Sequence, residues 1–192
     1  MKRMKLINVA MVFICLLGLS ACKDEPSVKQ YRVQKAPGSP PPAQNPVSAP
    51  EGLPFSWTVP AGWKQGKPSA MRTASYEVPL DGETGDFSLV RLGGGAGGVM
   101  ANLNRWRGQI GLGPVSAEEV SNFAHARSTV QGRPYLLVTL VNPDNPGSGI
   151  SAAIFDLSDY VLFAKLTASQ AGLEKAQPSF EAFCQSLTFT GG

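Results

Sequence analysis

Between Leu53 and Gly192 the apolar positions change period several times, and each change marks an element. Phe55-Ser56-Trp57-Thr58-Val59 alternates with period two and predicts a first strand, stopped by Pro60. Met71 to Val78 and Asp86 to Leu92 read as the arms of a hairpin, with Asp81 to Gly85 as its loop. The period then lengthens. Val99, Leu103, Trp106 and Ile110 recur at helical spacing and predict a helix from about Gly97 to Ile110, ended by Gly111 and Gly113-Pro114. Ser116 with Glu119 three residues on has the form of a capping box and predicts a short second helix. Strands follow at about His125 to Val130, Pro134 to Val141, Gly149 to Phe155 and Tyr160 to Thr167, with turns at 142–147 and 157–159. A last helix, about Glu174 to Ser186, puts Phe180, Phe183, Cys184 and Leu187 on one face, with Pro178 near its start. Strands outnumber helices and most connections are hairpin-like. That predicts an α+β fold, a largely antiparallel sheet flanked by helices, for residues 53–192 as one domain.

The residues before Leu53 lack this patterning. Lys2, Arg3 and Lys5 precede an apolar run from Leu6 to Leu19, about 14 residues against the roughly 20 that span a hydrocarbon core. Residues 1–21 therefore read as an export signal. From Lys23 to about Glu51 the chain is polar and proline-rich, with Pro40-Pro41-Pro42 at its centre. It cannot bury enough apolar surface to fold, and prolines favour extended backbone. Residues 22–52 are expected to form a tether of about 30 Å as a coil and about 85 Å fully extended.

Removing the signal changes the charge. The whole chain has 17 Lys and Arg against 14 Asp and Glu. Lys2, Arg3 and Lys5 leave with the signal, the mature chain becomes formally neutral, and the case for a nucleic-acid partner goes with them. Cys15 leaves too, and with Cys22 at the processing point only Cys184 remains, so no internal disulfide can form.

Three groups of residues carry candidate chemistry. Gly93 to Gly98 fits the spacing G-x-G-x-x-G, but no second parallel strand with its ribose-binding acid follows, and Val99 stands where a phosphate-loop lysine would be. Nucleotide binding is not expected. Gly95, Gly97 and Gly98, with Asn102, Arg105 and Arg91, could instead hold an anion at the helix start, or the glycines could only turn the strand into the helix. Asn102, Arg105 and Gln109, with Asn104 and Arg107 nearby, share the polar side of that helix; they could satisfy a neighbouring loop or read a polar ligand. His125, the one histidine, lies near Ser128 without a nucleophile elbow, so no catalytic residue is assigned. No His, Cys or carboxylate spacing suits a metal, and no cofactor is expected.

Leu19-Ser20-Ala21-Cys22 resembles the bacterial lipobox. The resemblance implies diacylglycerol on Cys22 and anchorage of the mature chain in a lipid bilayer. Lys23 after the cysteine implies the periplasmic side of the outer membrane in a Gram-negative cell. Trp57 to Trp63 and the helix segment Asn102-Leu103-Asn104-Arg105-Trp106-Arg107-Gly108-Gln109 resemble a group of uncharacterised exported bacterial proteins and lipoproteins. More remotely, Val59-Pro60-Ala61-Gly62-Trp63 and the strand-rich layout are similar to the PsbP/Mog1-type α/β/α sandwich, whose members serve as accessory binding or assembly proteins. The resemblances imply a non-enzymatic envelope lipoprotein that binds an envelope protein or component. A small-ligand or anion-binding domain is the alternative, and a hydrolase the third reading.

Overall fold

The computed structural model describes residues 52–94 and 96–190. The export signal, Cys22, the proline-rich tether and Gly95 lie outside the described residues. Nine strands and two helices follow in order: β1 Phe55–Ser56, β2 Lys64–Gln65, β3 Ala74–Leu80, β4 Glu83–Gly93, α1 Gly98–Gln109, β5 Ala124–Ser128, β6 Pro134–Asn142, β7 Asn145–Asp156, β8 Tyr160–Ala168, α2 Gln170–Ser186 and β9 Thr188–Phe189. Seven strands form one antiparallel sheet in the order β2-β3-β4-β8-β7-β6-β5, and β1 pairs with β9 apart from it. The fold is α+β. Among the described residues no helix is long and apolar enough to cross a membrane.

The two faces of the sheet are covered by different means. On one face α2 and the β1–β9 pair close over an aromatic core: Phe183 is fully buried, stacks on Trp63 at 5.6 Å and meets Phe87 edge-on at 4.6 Å. Trp57 Nε1 donates to Tyr76 Oη at 2.9 Å, so these two rings bury their polar atoms in a bond of their own, whereas the Tyr135 hydroxyl is buried in the same core without a protein partner among the described residues. On the other face Leu103, Trp106 and Ile110 of α1 pack on Val138, Leu140, Ile150, Ile154 and Phe163. Strand β7 lies between the two layers and is buried continuously from Gly149 to Phe155, as its near-unbroken apolar run requires.

Several boundaries differ from those the sequence predicts. Helix α2 begins at Gln170, before Glu174, because Ser169 caps it: its Oγ accepts from Gly172 N–H at 3.0 Å, and Glu83 of β4 accepts from its backbone N–H at 3.2 Å. Pro178 lies inside this helix and does not end it. The expected helix at Ser116 is a run of turns with a short 3-10 piece at Val120–Asn122. Half of its capping box forms, since Ser116 N–H donates to Glu119 Oε2 at 2.9 Å, but the segment is held elsewhere. Asn104 of α1 bonds both the N–H and the carbonyl of Val115, and the Arg107 guanidinium lies over Phe123. Two hairpins are tighter than expected, turning on Asp81-Gly82 and Pro143-Asp144. The first strand shortens to Phe55–Ser56 because its only partner is the two-residue β9.

Phe183 of α2 meets the rings of Trp57, Trp63, Tyr76 and Phe87 at once, so truncation leaves a cavity that no single neighbour can fill. Phe183→Ala is expected to cost about 3–5 kcal/mol, read as a lower urea midpoint at unchanged slope.

Candidate functional site

The polar residues of α1 divide by what they touch. Gly94, Gly97 and Gly98 have φ of 59°, 81° and 68°, left-handed values that side chains rarely adopt, and this is how β4 turns into α1 within a few residues. Asn102 is buried and turned onto that loop: its Nδ2 donates to the carbonyls of Ala96 and Gly98, both at 2.8 Å. Its Oδ1 accepts from Arg105 Nη1 at 2.9 Å. One amide therefore ties the glycine turn to the arginine one helical turn on. Asn104 and Arg107 serve the following loop, Arg107 Nε donating to Gly113 carbonyl at 2.7 Å. Arg91 is not near them; its guanidinium lies over the Tyr160 ring, at 4.4 Å, on the other face of the sheet.

Arg105 and Gln109 remain, and both open onto a groove of about 260 Å³ between α1 and the chain just before β3. Trp106, Phe163, Val90 and Leu92 give it an apolar base. Ser88 and Lys165 lie in its floor as directly opposed residues of β4 and β8, and Ser69, Met71 and Arg72 form the far wall. Lys165 Nζ donates to Gln109 Oε1 at 3.3 Å. Arg72 holds Asp86 with two bonds of 2.8 Å each. Three cations thus converge on the groove beside one carboxylate.

The charges shift one another. Burial pushes the Lys165 amine below the ordinary lysine range, and Arg72 adds to the shift while Asp86 opposes it. The bond from Arg72 holds the Asp86 carboxyl below its ordinary value. This half-buried ammonium beside a guanidinium is only partly exposed to solvent, and the carboxylate near it, Asp86, is bonded to Arg72. That is a place where an anion gains most.

The other sequence candidates lie elsewhere. Gly98 and Asn102 also border a small hollow of about 60 Å³ beside Asp156, a carboxylate that disfavours anions there. Gly97 lines neither space, and Gly95 is outside the described residues. His125 is exposed on the edge strand β5, where strand alternation puts Ser128 on the opposite face. Cys184 is completely buried, which pushes its thiol upward and away from reactivity. Among the described residues no three His, Cys, Asp or Glu side chains gather as a metal site. Sequence reading missed Arg72, Ser88 and Lys165. The one signal was Lys165 itself, a charge inside the apolar run Val161-Leu162-Phe163-Ala164-Lys165-Leu166.

No family model matches the chain, and no curated protein matches it. Several solved structures are similar to the chain, two of which follow. The solution structure of cyanobacterial PsbP (CyanoP) from Synechocystis sp. PCC 6803 has a TM-score of 0.47 at 12% identity, over 79% of this chain and 98% of that one. A crystal structure from Bacteroides thetaiotaomicron VPI-5482 has a TM-score of 0.41 at 12% identity, over 72% of this chain and 46% of that one.

The Lys165 shift has a consequence for stability. Its amine binds a proton less tightly in the folded than in the unfolded chain, so burying the charged form costs stability at neutral pH. That cost fades as pH rises from the lowered value towards the ordinary lysine range. Lys165→Met is expected to be the more stable protein at about pH 7, with a margin that shrinks by about pH 10. Urea midpoints at the two pH values check both sign and trend.

Proposed function

We propose that this protein is a non-enzymatic binding domain held at the cell envelope by lipidated Cys22, and that it recognises an anionic ligand in the groove beside α1. The observation that carries the reading is the convergence of Arg72, Arg105 and Lys165 on one open groove with Asp86 as the single carboxylate bonded among them. The site differs from the anion site suggested by the glycine loop. The loop carbonyls of Ala96 and Gly98 are taken by Asn102, and the loop's part is to set the start of α1 and, through Asn102, the direction of Arg105.

The lipobox supports the envelope half of the reading, and two chains of about 0.8 kcal/mol per buried methylene suffice for stable anchorage. Cys22→Ser is expected to shift the protein from the membrane pellet to the soluble fraction of a lysed cell; continued pelleting after a carbonate wash would argue against a lipid anchor. For the groove, the mature chain carrying Cys22→Ser is heated with organic anions and with uncharged molecules of the same shape. A ligand that binds only the folded state raises the melting temperature, by several degrees at about 100 times its Kd. Arg105→Ala is expected to remove that rise while leaving the melting temperature without ligand within about 2 °C, because its side chain is exposed and makes one bond to Asn102.

A further inference from the structure

We infer that the ligand of this groove is a small amphiphilic carboxylate, its head beside Lys165 and Arg105 and an aromatic or aliphatic body on Trp106 and Phe163; this rests on the anion-binding reading above. Three observations lead there. The first is size. A groove of about 260 Å³ lies just under the roughly 300–1,000 Å³ of ordinary small-molecule sites, which suits a compact body.

The second is the distribution of charge. Arg72 is committed to Asp86 through two bonds, so that pair is close to neutral as a unit. Among the described residues Lys165 has only the Gln109 amide as a side-chain partner, at 3.3 Å, and Arg105 uses one nitrogen on Asn102. A guanidinium has five N–H donors, so Arg105 retains others for a carboxylate. The two cations sit on facing elements, β8 and α1, and a single planar head between them would serve both.

The third is the lining. Trp106 and Phe163 meet edge to face at 6.0 Å and 85°, with Val90 and Leu92 beside them. Met71 stands opposite, 71% exposed although apolar. An unbranched thioether there can fold over ligands of varied outline. A bare inorganic anion would keep its own water against this apolar base, and an uncharged hydrophobe would leave Lys165 buried without a counter-charge. An amphiphile with one carboxylate satisfies both.

The test is calorimetric titration of the mature chain carrying Cys22→Ser. The ligands are 3-phenylpropanoate, 4-methylpentanoate and octanoate, with 3-phenylpropanamide, acetate and inorganic phosphate as comparisons. At least one of the three amphiphilic carboxylates is expected to bind about tenfold or more tightly than the amide, acetate and phosphate. Lys165→Met should weaken it about tenfold, and Met71→Ser about threefold with no effect on acetate. Acetate or phosphate binding as tightly as the amphiphiles would overturn the amphiphile and leave the anion site standing. An amide that binds as tightly as its acid, or no binding by any of the six, would overturn both.

Discussion

A seven-stranded sheet has two faces to cover, and among the described residues there are two α-helices to do it. Strands about 4.8 Å apart make the sheet about 29 Å wide, whereas one helix is about 10 Å across. On the α2 side the shortfall is met by the β1–β9 pair and by large rings. On the other side α1, twelve residues long, works nearly alone and closes over β6, β7 and β8. The β3–β4 half has to be finished with groups that tolerate water. Asp86 and the outer end of Lys165 are what the alternation turns towards solvent there, beside Ser75 and Ser88, which are small and buried. The groove is the step between the covered half and the uncovered one, so its mixed character follows from geometry before any ligand is considered.

That step would be a loose crevice if its walls moved. They are fixed by hydrogen bonds at both ends of α1 and on the facing wall. Asn142 donates to the carbonyl of Ile110 at 2.8 Å and so ties the end of α1 to β6. Asn102 secures the beginning, and Asn104 and Arg107 hold the loop that leaves it. Opposite, Arg72 and Asp86 clamp the approach to β3 onto β4. A groove with both walls held in this way loses little freedom on binding, which is where much of the cost of recognition usually lies.

The fold was largely legible because its signals are local. The stripe Val99, Leu103, Trp106, Ile110, the alternation of β4 and the apolar runs of β6 and β8 each show themselves within a dozen residues. The misreadings share a physical cause. Ser169 caps α2 while being held by Glu83, eighty-six positions away, and the helix expected at Ser116 yields to contacts from α1. The site was legible only in half. Arg105 and Gln109 could be picked out as polar groups on a helix face. Nothing in their spacing could separate them from Asn102, which turns inward to serve the backbone. Arg72 and Lys165 come from other elements, and only the sheet order brings them to the same place.

The pairing of β1 with β9 bears on the order of events when the chain is made. Phe55 packs against Phe189, and Trp57 against Phe183, so the first aromatic residues of the domain find partners that are made long after them. Thr190 N–H closes the seam by donating to the Pro54 carbonyl at 2.9 Å. During synthesis the sheet and α1 can assemble while the aromatic face still waits for its lid. A chain that closes one side of its core only when β9 has been made keeps that side open until then, however early the sheet forms.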